Sequence, residues 1–101
     1  MIKIIKTAGM LVYNENKVLL VKHKEGAKHQ TGVYGLPAGS VEKGENKIDT
    51  AIRELKEETG LLADKNKVIK IPKFYIGFIR RKDGLGYFRL KFFYVKHIPE
   101  K

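Results

Sequence analysis

The chain has 101 residues, of which 43% are hydrophobic and 10% aromatic, and its formal net charge is +10. This length predicts one domain over residues 1–101 with a hydrophobic core, and the composition excludes a disordered chain. Because cysteine is absent, disulfides, thiolate zinc sites and thiol nucleophiles are excluded. Neither a secretory signal nor an apolar run long enough to span a bilayer occurs, which predicts a cytoplasmic protein without a membrane contact.

The first third of the chain predicts a hairpin followed by a loop. Residues 3–13 mix β-branched and apolar types, the "NENK" stretch at 14–17 is a turn signal, and residues 18–23 predict the second strand. Residues 24–32 are polar and contain two glycines, which indicates a loop. The stretch "VYGLPAGSVEKGE" at 33–45 then predicts a short strand that runs into a glycine-bearing loop.

A helix is predicted between Asn46 and Gly60. Asn46 suits the N-cap, and Asp49 can complete a variant of the capping box. Gly60 suits the left-handed position that ends a helix. A period of 3.6 residues predicts an inward face made of Ile48, Ala51, Ile52, Leu55 and Thr59.

The last third predicts a further hairpin. Apolar and polar residues alternate on both sides of the "KDGLG" turn, which pairs residues 73–81 with residues 87–97. The order of elements is therefore strands, one amphipathic helix and strands, without a repeat or a linker.

Three acidic residues, Glu54, Glu57 and Glu58, stand at i, i+3 and i+4 on the predicted helix, on the side away from its apolar face. Like charges at this spacing destabilise a helix. One interpretation is a solvated face with an ion pair between Arg53 and Glu57. The other is a site for a hard divalent cation, Mg²⁺ or Mn²⁺, which takes carboxylate oxygens and bridges them to phosphates.

The distribution of charge favours the second interpretation. Residues 39–61 contain six acidic and four basic residues, whereas the rest of the chain is strongly basic. A basic surface attracts anionic partners such as nucleotides or nucleic acid, although lysine-rich surfaces also serve solubility. An acidic segment inside a basic chain is typical of a cation site that meets an anionic substrate.

These residues carry a detailed resemblance to a known family. The pattern G-x5-E-x7-R-E-U-x-E-E-x-G-U, with U an aliphatic residue, is the signature of the Nudix hydrolases, and residues 39–61 match it without deviation. The preceding "VYGLPAG" is similar to the W-x-L-P-G-G stretch of that family. The matching positions are Gly39, Glu45, Arg53, Glu54, Leu55, Glu57, Glu58, Gly60 and Leu61.

The resemblance implies an α/β class fold, an α/β/α sandwich around a mixed sheet. It also implies metal-dependent hydrolysis of a nucleoside diphosphate linked to another group, by water attack on phosphorus. Relatives continue beyond the last strand into a second helix; whether this chain lacks that helix is left open, and a bare sheet face would favour a homodimer.

The resemblance also implies roles for residues. Glu57 and Glu58 would be the principal Mg²⁺ or Mn²⁺ ligands, and Glu54 would be a further ligand or would activate the water. The Gly39 carbonyl would complete the metal shell, and Arg53 would orient the glutamates through a salt bridge.

The residues that bind the substrate are less well determined by the sequence. Tyr34 and Tyr75 are candidates for stacking on a base, with strand packing as the alternative. Glu45 belongs either to the outer acidic shell near the substrate or to a loop-to-helix salt bridge. The sequence leaves open the substrate, the general base and a second function, a binding module that holds a nucleotide or nucleic acid without hydrolysis.

Overall fold

In the computed structural model of the protein, residues 3–22, 34–81 and 84–96 are described. The elements follow the predicted order: β1 (Lys3–Asn14), β2 (Lys17–Val18), β3 (Val21–Lys22), β4 (Tyr34–Gly35), β5 (Ala38–Ser40), α1 (Lys47–Thr59), a 3₁₀ turn (Lys65–Lys67), β6 (Ile69–Arg81) and β7 (Gly84–Lys96). The predicted loop at 24–32, the centre of the last turn at 82–83 and residue 97 lie outside the described residues.

A mixed sheet forms the frame of the structure. Its strand order is β2-β1-β7-β6, and β5 pairs with β1 next to β2. β1 and β7 run parallel, while the pairs β1–β2, β1–β5 and β6–β7 are antiparallel. The short strands β3 and β4 form a separate two-stranded sheet.

The helix α1 packs on one face of this sheet, and its ends are those predicted. Asn46 Oδ1 accepts a hydrogen bond from the Asp49 N–H at 3.0 Å. Gly60 takes the left-handed conformation with φ of 80° and donates its N–H to the Lys56 carbonyl. In the described ranges α1 is the only α-helix, so the sheet carries its helical layer on one face there.

Alternate residues of β1 and β7 face α1 and form the core. Since successive strand residues point to opposite faces, the pairs Ala8–Lys91, Met10–Phe93 and Val12–Val95 lie on the same side of the parallel ladder. The predicted inward residues of α1 meet them: Ala51 and Leu55 are fully buried, and Ile48 and Ile52 pack at the margin. The buried hydrophobic residues are Ala8, Met10, Val12, Ala51, Leu55, Ala63, Phe93 and Val95.

One predicted strand is wrong in its extent. Within the described part of this stretch, residues 18–22, the strand is not continuous. The chain leaves β1 after Leu19, whose N–H donates to the Val12 carbonyl, and pairs with β4 from Val21. The edge of β1 beyond this point is already taken by β5, which pairs with Thr7–Gly9, and by the Pro37 carbonyl, which accepts from the Met10 N–H.

The helix of the described chain, with 13 residues, is too short and too polar to cross a membrane.

Replacement of the buried Leu55 by alanine is expected to lower the free energy of unfolding by about 3 kcal/mol, because it removes apolar burial and leaves a cavity under α1. Leu62, whose side chain is 63% exposed, is the matched control, and Leu62→Ala is expected to cost less than about 0.5 kcal/mol. Urea denaturation measures both. Equal losses in the two variants would contradict the assigned core.

Candidate active site

The acidic face of α1 lies against β5. β5 is held on β1 by the pairs Thr7–Ser40, Ala8–Gly39 and Gly9–Ala38, and the chain then loops to Asn46 and returns along α1. The second half of α1 therefore meets the backbone of the strand that begins the loop. Three contacts, made by Glu54, Glu58 and Arg53, define the geometry of the site.

Glu54 packs directly against Gly39. A side chain at position 39 would displace the Glu54 carboxylate, so glycine permits this close approach. The Glu54 side chain is only 15% exposed, and burial, followed by the effect of neighbouring carboxylates, raises its pKa. Arg53 opposes this shift by donating from Nη1 to Glu54 Oε1 at 2.9 Å.

Glu58 is held by the backbone of β5. The Ala38 N–H donates to Glu58 Oε2 at 3.1 Å. Burial raises the pKa of Glu58 from its ordinary 4.5 to about 7, and the negative charges of Glu54 and Glu57 add to the shift, against the Ala38 hydrogen bond. Two carboxylates of α1 thus lie where their charge is poorly compensated by the protein.

Glu57 is an exposed member of the acidic group. Its side chain is 56% exposed, and Arg53 Nη1 lies 3.3 Å from both of its oxygens. The i, i+4 ion pair that the sequence predicts is therefore present. Its exposure leaves the Glu57 carboxylate accessible to a cation from solvent.

The Arg53 guanidinium joins the loop to the helix. It lies within ion-pair distance of four carboxylates, those of Glu42, Glu45, Glu54 and Glu57. Its Nη2 also donates to the Ser40 carbonyl at 3.0 Å. The hydrogen bond with Glu45 above all raises the pKa of Arg53, so its positive charge is permanent. Arg53 fixes the separation between the end of β5 and the glutamates of α1.

Glu45 has the geometry of the loop-to-helix salt bridge that the sequence left as an alternative. Arg53 Nε donates to Glu45 Oε2 at 2.9 Å, and Thr50 Oγ1 donates to Oε1 at 2.6 Å. The Glu42 N–H also donates to Oε1. The Arg53 and Thr50 hydrogen bonds lower the pKa of Glu45 to about 2. With both oxygens occupied, Glu45 has little capacity left for a substrate.

The donor set of this site suits a hard divalent cation. In the part of the chain that the structure describes, no three acidic or histidine side chains already surround a common point. Mg²⁺ does not require such a cage, because it commonly takes one or two carboxylates and fills its shell with waters and substrate phosphates. Burial and mutual repulsion raise the pKa values of Glu54 and Glu58, and a bound cation would relieve both effects.

The two tyrosine candidates for substrate binding differ in their position relative to the glutamates of α1. Tyr34 lies in β4, close in sequence to β5, and is 65% exposed. Tyr75 lies in β6 and pairs with Leu90, which places it on the sheet face opposite α1, and its ring meets Phe92 edge-on at 5.8 Å between centroids. The structure thus separates Tyr75 from the acidic face and favours the strand-packing alternative for it.

Sequence reasoning missed three partners of the site. Two of them are backbone groups, the Ala38 N–H and the Ser40 carbonyl, and a pattern of side-chain types cannot predict them. The third is Glu42, whose Oε1 lies 3.0 Å from Arg53 Nε. Its position three residues before Glu45 was the sequence feature that could have indicated a second acidic partner for Arg53.

The sequence matches a known protein family over most of its length. The model of the NUDIX domain family matches residues 3–95. The chain is 34% identical over 96 residues to a probable DHNTP pyrophosphohydrolase of Lactococcus lactis subsp. cremoris, an alignment that covers 94% of this chain and 55% of the relative. It is 43% identical over 68 residues to an ADP-ribose pyrophosphatase of Bacillus subtilis, covering 67% of this chain and 35% of the relative.

Solved structures share the fold. A MutT NUDIX hydrolase of Burkholderia pseudomallei superposes with a TM-score of 0.79 at 19% identity, covering 98% of this chain and 71% of that one. A MutT/nudix family protein of Enterococcus faecalis superposes with a TM-score of 0.75 at 25% identity, covering 93% of this chain and 37% of that one. The chain spans only 27%, 55% and 35% of three curated relatives that it matches.

In the metal-free protein, Glu58 is expected to titrate near pH 7. Because the folded-state pKa lies above the unfolded value, the contribution of Glu58 to stability is full below about pH 4.5 and is lost as the pH rises through about 7. Thermal melts across this range should show that decline, and Glu58→Gln should remove it. An unchanged pH profile in Glu58→Gln would contradict the assigned environment.

Gly39→Ala is expected to cost about 0.5–1.5 kcal/mol, since the added methyl group displaces the Glu54 carboxylate, the end of a flexible side chain, from its place. In a Glu54→Ala background the same glycine substitution should cost at least about 0.5 kcal/mol less, because the obstructing side chain is gone. A double-mutant cycle by urea denaturation measures this coupling. Strictly additive losses would show that the two residues are not in contact.

Proposed function

Because the chain belongs to the NUDIX family, we propose that it is a divalent-metal-dependent hydrolase of a phosphoric anhydride bond. Its substrate is a nucleoside diphosphate derivative, such as a nucleoside triphosphate or a related nucleotide, and water attacks phosphorus. The relatives named for DHNTP and ADP-ribose support this substrate class. Since the chain spans only part of their length, the activity is inferred for the chain itself from its site.

One observation carries the proposal: three carboxylates share one side of α1, and two of them are held against the backbone of β5. Glu54 packs on Gly39, and Glu58 accepts from the Ala38 N–H. Like charges brought together and partly desolvated destabilise the fold by themselves. Such an arrangement is favourable once a cation binds, which is the role that we assign to it.

Glu57 and Glu58 would hold Mg²⁺ or Mn²⁺, with Glu54 as a further ligand or as the group that takes a proton from the attacking water. The Gly39 carbonyl would complete the shell. When bound, the metal supplies charge stabilisation at the phosphoryl oxygens and lowers the pKa of water. The Glu57 carboxylate is open to an ion from solvent, and Glu58, whose pKa is raised to about 7, would have to lose its proton to act as a ligand.

Arg53 acts as a positioning residue. Its hydrogen bonds to Glu45 and the Ser40 carbonyl fix it to the loop, and its remaining Nη1 holds Glu54 and Glu57 in place. Its charge also offsets part of the repulsion among the glutamates. The glutamates are therefore preorganised before a metal or a substrate arrives, which is how an enzyme avoids reorganisation during the reaction.

We propose a single domain over residues 1–101, a small-molecule nucleotide as the substrate, a cytoplasmic location and a homodimer. Tyr34, which is exposed and precedes β5, remains the candidate for stacking on the base.

Glu57→Gln is expected to lower the rate of nucleotide hydrolysis by about 100-fold or more, because the charge that binds the metal is removed while size and shape are kept. Glu15→Gln, in the turn between β1 and β2, is the matched control and should stay within about twofold. The assay uses nucleoside triphosphates, ADP-ribose, dinucleoside polyphosphates and nucleotide sugars with Mg²⁺ or Mn²⁺. Full turnover by Glu57→Gln, or without a divalent metal, would refute the proposal.

A further inference from the structure

A second charged feature lies on the same side of the sheet as α1, at the opposite end of the helix. A cleft of about 850 Å³ is lined by the first turn of α1 together with β1, β6 and β7. Four lysines contribute to its lining: Lys6, Lys47, Lys70 and Lys91. We call it the lysine cleft. The glutamates of the metal site belong to the other half of α1 and face β5.

Lys91 is the unusual member of this group. It lies in phase with Phe93 and Val95 on β7, so its side chain enters the space between the sheet and the helix, and only 8% of the residue is exposed. Its Nζ donates to the Lys73 carbonyl at 3.2 Å. An ammonium has three donors, and the described residues provide it with no carboxylate within ion-pair distance.

The lysine cleft lies beside a bulge in the pairing of β6 with β7. Lys70 pairs with Phe93 and Phe74 pairs with Lys91, so three residues of β6 stand opposite Phe92 alone. Pro72 lies inside this bulge, as expected for a residue that cannot donate to the ladder. The bulge turns the Lys73 carbonyl toward Lys91 and opens the space beside it.

The charges around Lys91 are of the same sign. Burial lowers the pKa of Lys91, and the nearby Lys70 and Lys47 lower it further. Glu45 is the acidic residue that lines the cleft, but Arg53 and Thr50 already occupy its carboxylate. An ammonium group among like charges and without a counter-charge is unfavourable, so the protein alone leaves this cluster uncompensated.

The other residues that line the lysine cleft indicate which kind of ligand could neutralise the positive charge of the lysines. The first turn of α1 presents the positive end of the helix dipole, which favours an anion. Lysine ammonium groups bind phosphate oxygens as point charges. Apolar walls from Val68, Phe74 and Phe93 leave room for an uncharged portion, and the volume lies within the range of small-molecule sites.

We propose that the lysine cleft binds a small anion that carries two or more phosphate groups, in a site separate from the carboxylates of the metal centre. Two or more phosphates match several lysines distributed around the lining better than a single phosphate does. This binding requires no divalent metal and no turnover, so it stands independently of the proposed hydrolase activity.

The test is calorimetric titration of the full chain with inorganic tripolyphosphate in metal-free buffer. The unmodified protein should bind one equivalent, and Lys91→Met should weaken the binding at least tenfold. Lys17→Met removes the same charge from the exposed strand β2 and should change the affinity by less than twofold. Lys91→Met also removes the uncompensated charge, so its melting temperature without ligand should equal or exceed that of the unmodified protein.

Lys70→Met on the exposed edge strand β6 provides a second variant if Lys91→Met does not fold, and it should weaken binding several-fold. Equal affinity in the unmodified protein, Lys70→Met and Lys17→Met would overturn the proposal, as would binding that requires Mg²⁺. A single-stranded oligonucleotide that binds through Lys91 or Lys70 while tripolyphosphate does not would assign the cleft to nucleic acid instead, and would also overturn it.

Discussion

The ion pairs of Arg53 are the interaction on which the acidic site depends. One guanidinium joins the end of β5, the loop before α1 and the helix itself, through the Ser40 carbonyl and four glutamates. Planar, permanently charged and rich in donors, arginine suits this position in a way that lysine does not. Without such a cation, the glutamates of α1 would repel one another and the strand backbone would not be held at a defined distance from them.

Most charges around α1 are placed opposite to what the helix dipole favours. Anions are favoured near an N-terminus and cations near a C-terminus, and Asp49 and Lys56 follow this rule. The glutamate group occupies the later half of α1, however, while the lysine cleft surrounds its first turn. Both arrangements cost stability in the protein alone. A cation at one end and a phosphate-bearing anion at the other would relieve them.

Much of the local structure could be predicted from side-chain types. The cap at Asn46, the left-handed Gly60 and the inward face of α1 follow from short-range chemistry that the fold does not overrule. Strand ends were less predictable, because the partner of a strand lies far away in the sequence. The chain leaves β1 after Leu19 since β5 already occupies the neighbouring edge, and Pro72 lies in β6 where a bulge accommodates it.

The sequence by itself determined the acidic face of α1, its spacing and the family to which it belongs, since these depend on residue identity along one helix. Tertiary structure decided which atoms meet that face. The contact of Glu54 with Gly39 and the Ala38 hydrogen bond to Glu58 arise only when β5 is placed beside α1, and Glu45 is saturated only when the loop folds back on Thr50 and Arg53. The alternation of β7 indicates an inward Lys91, but its lack of a carboxylate partner in the described chain results from the packing of three separate elements.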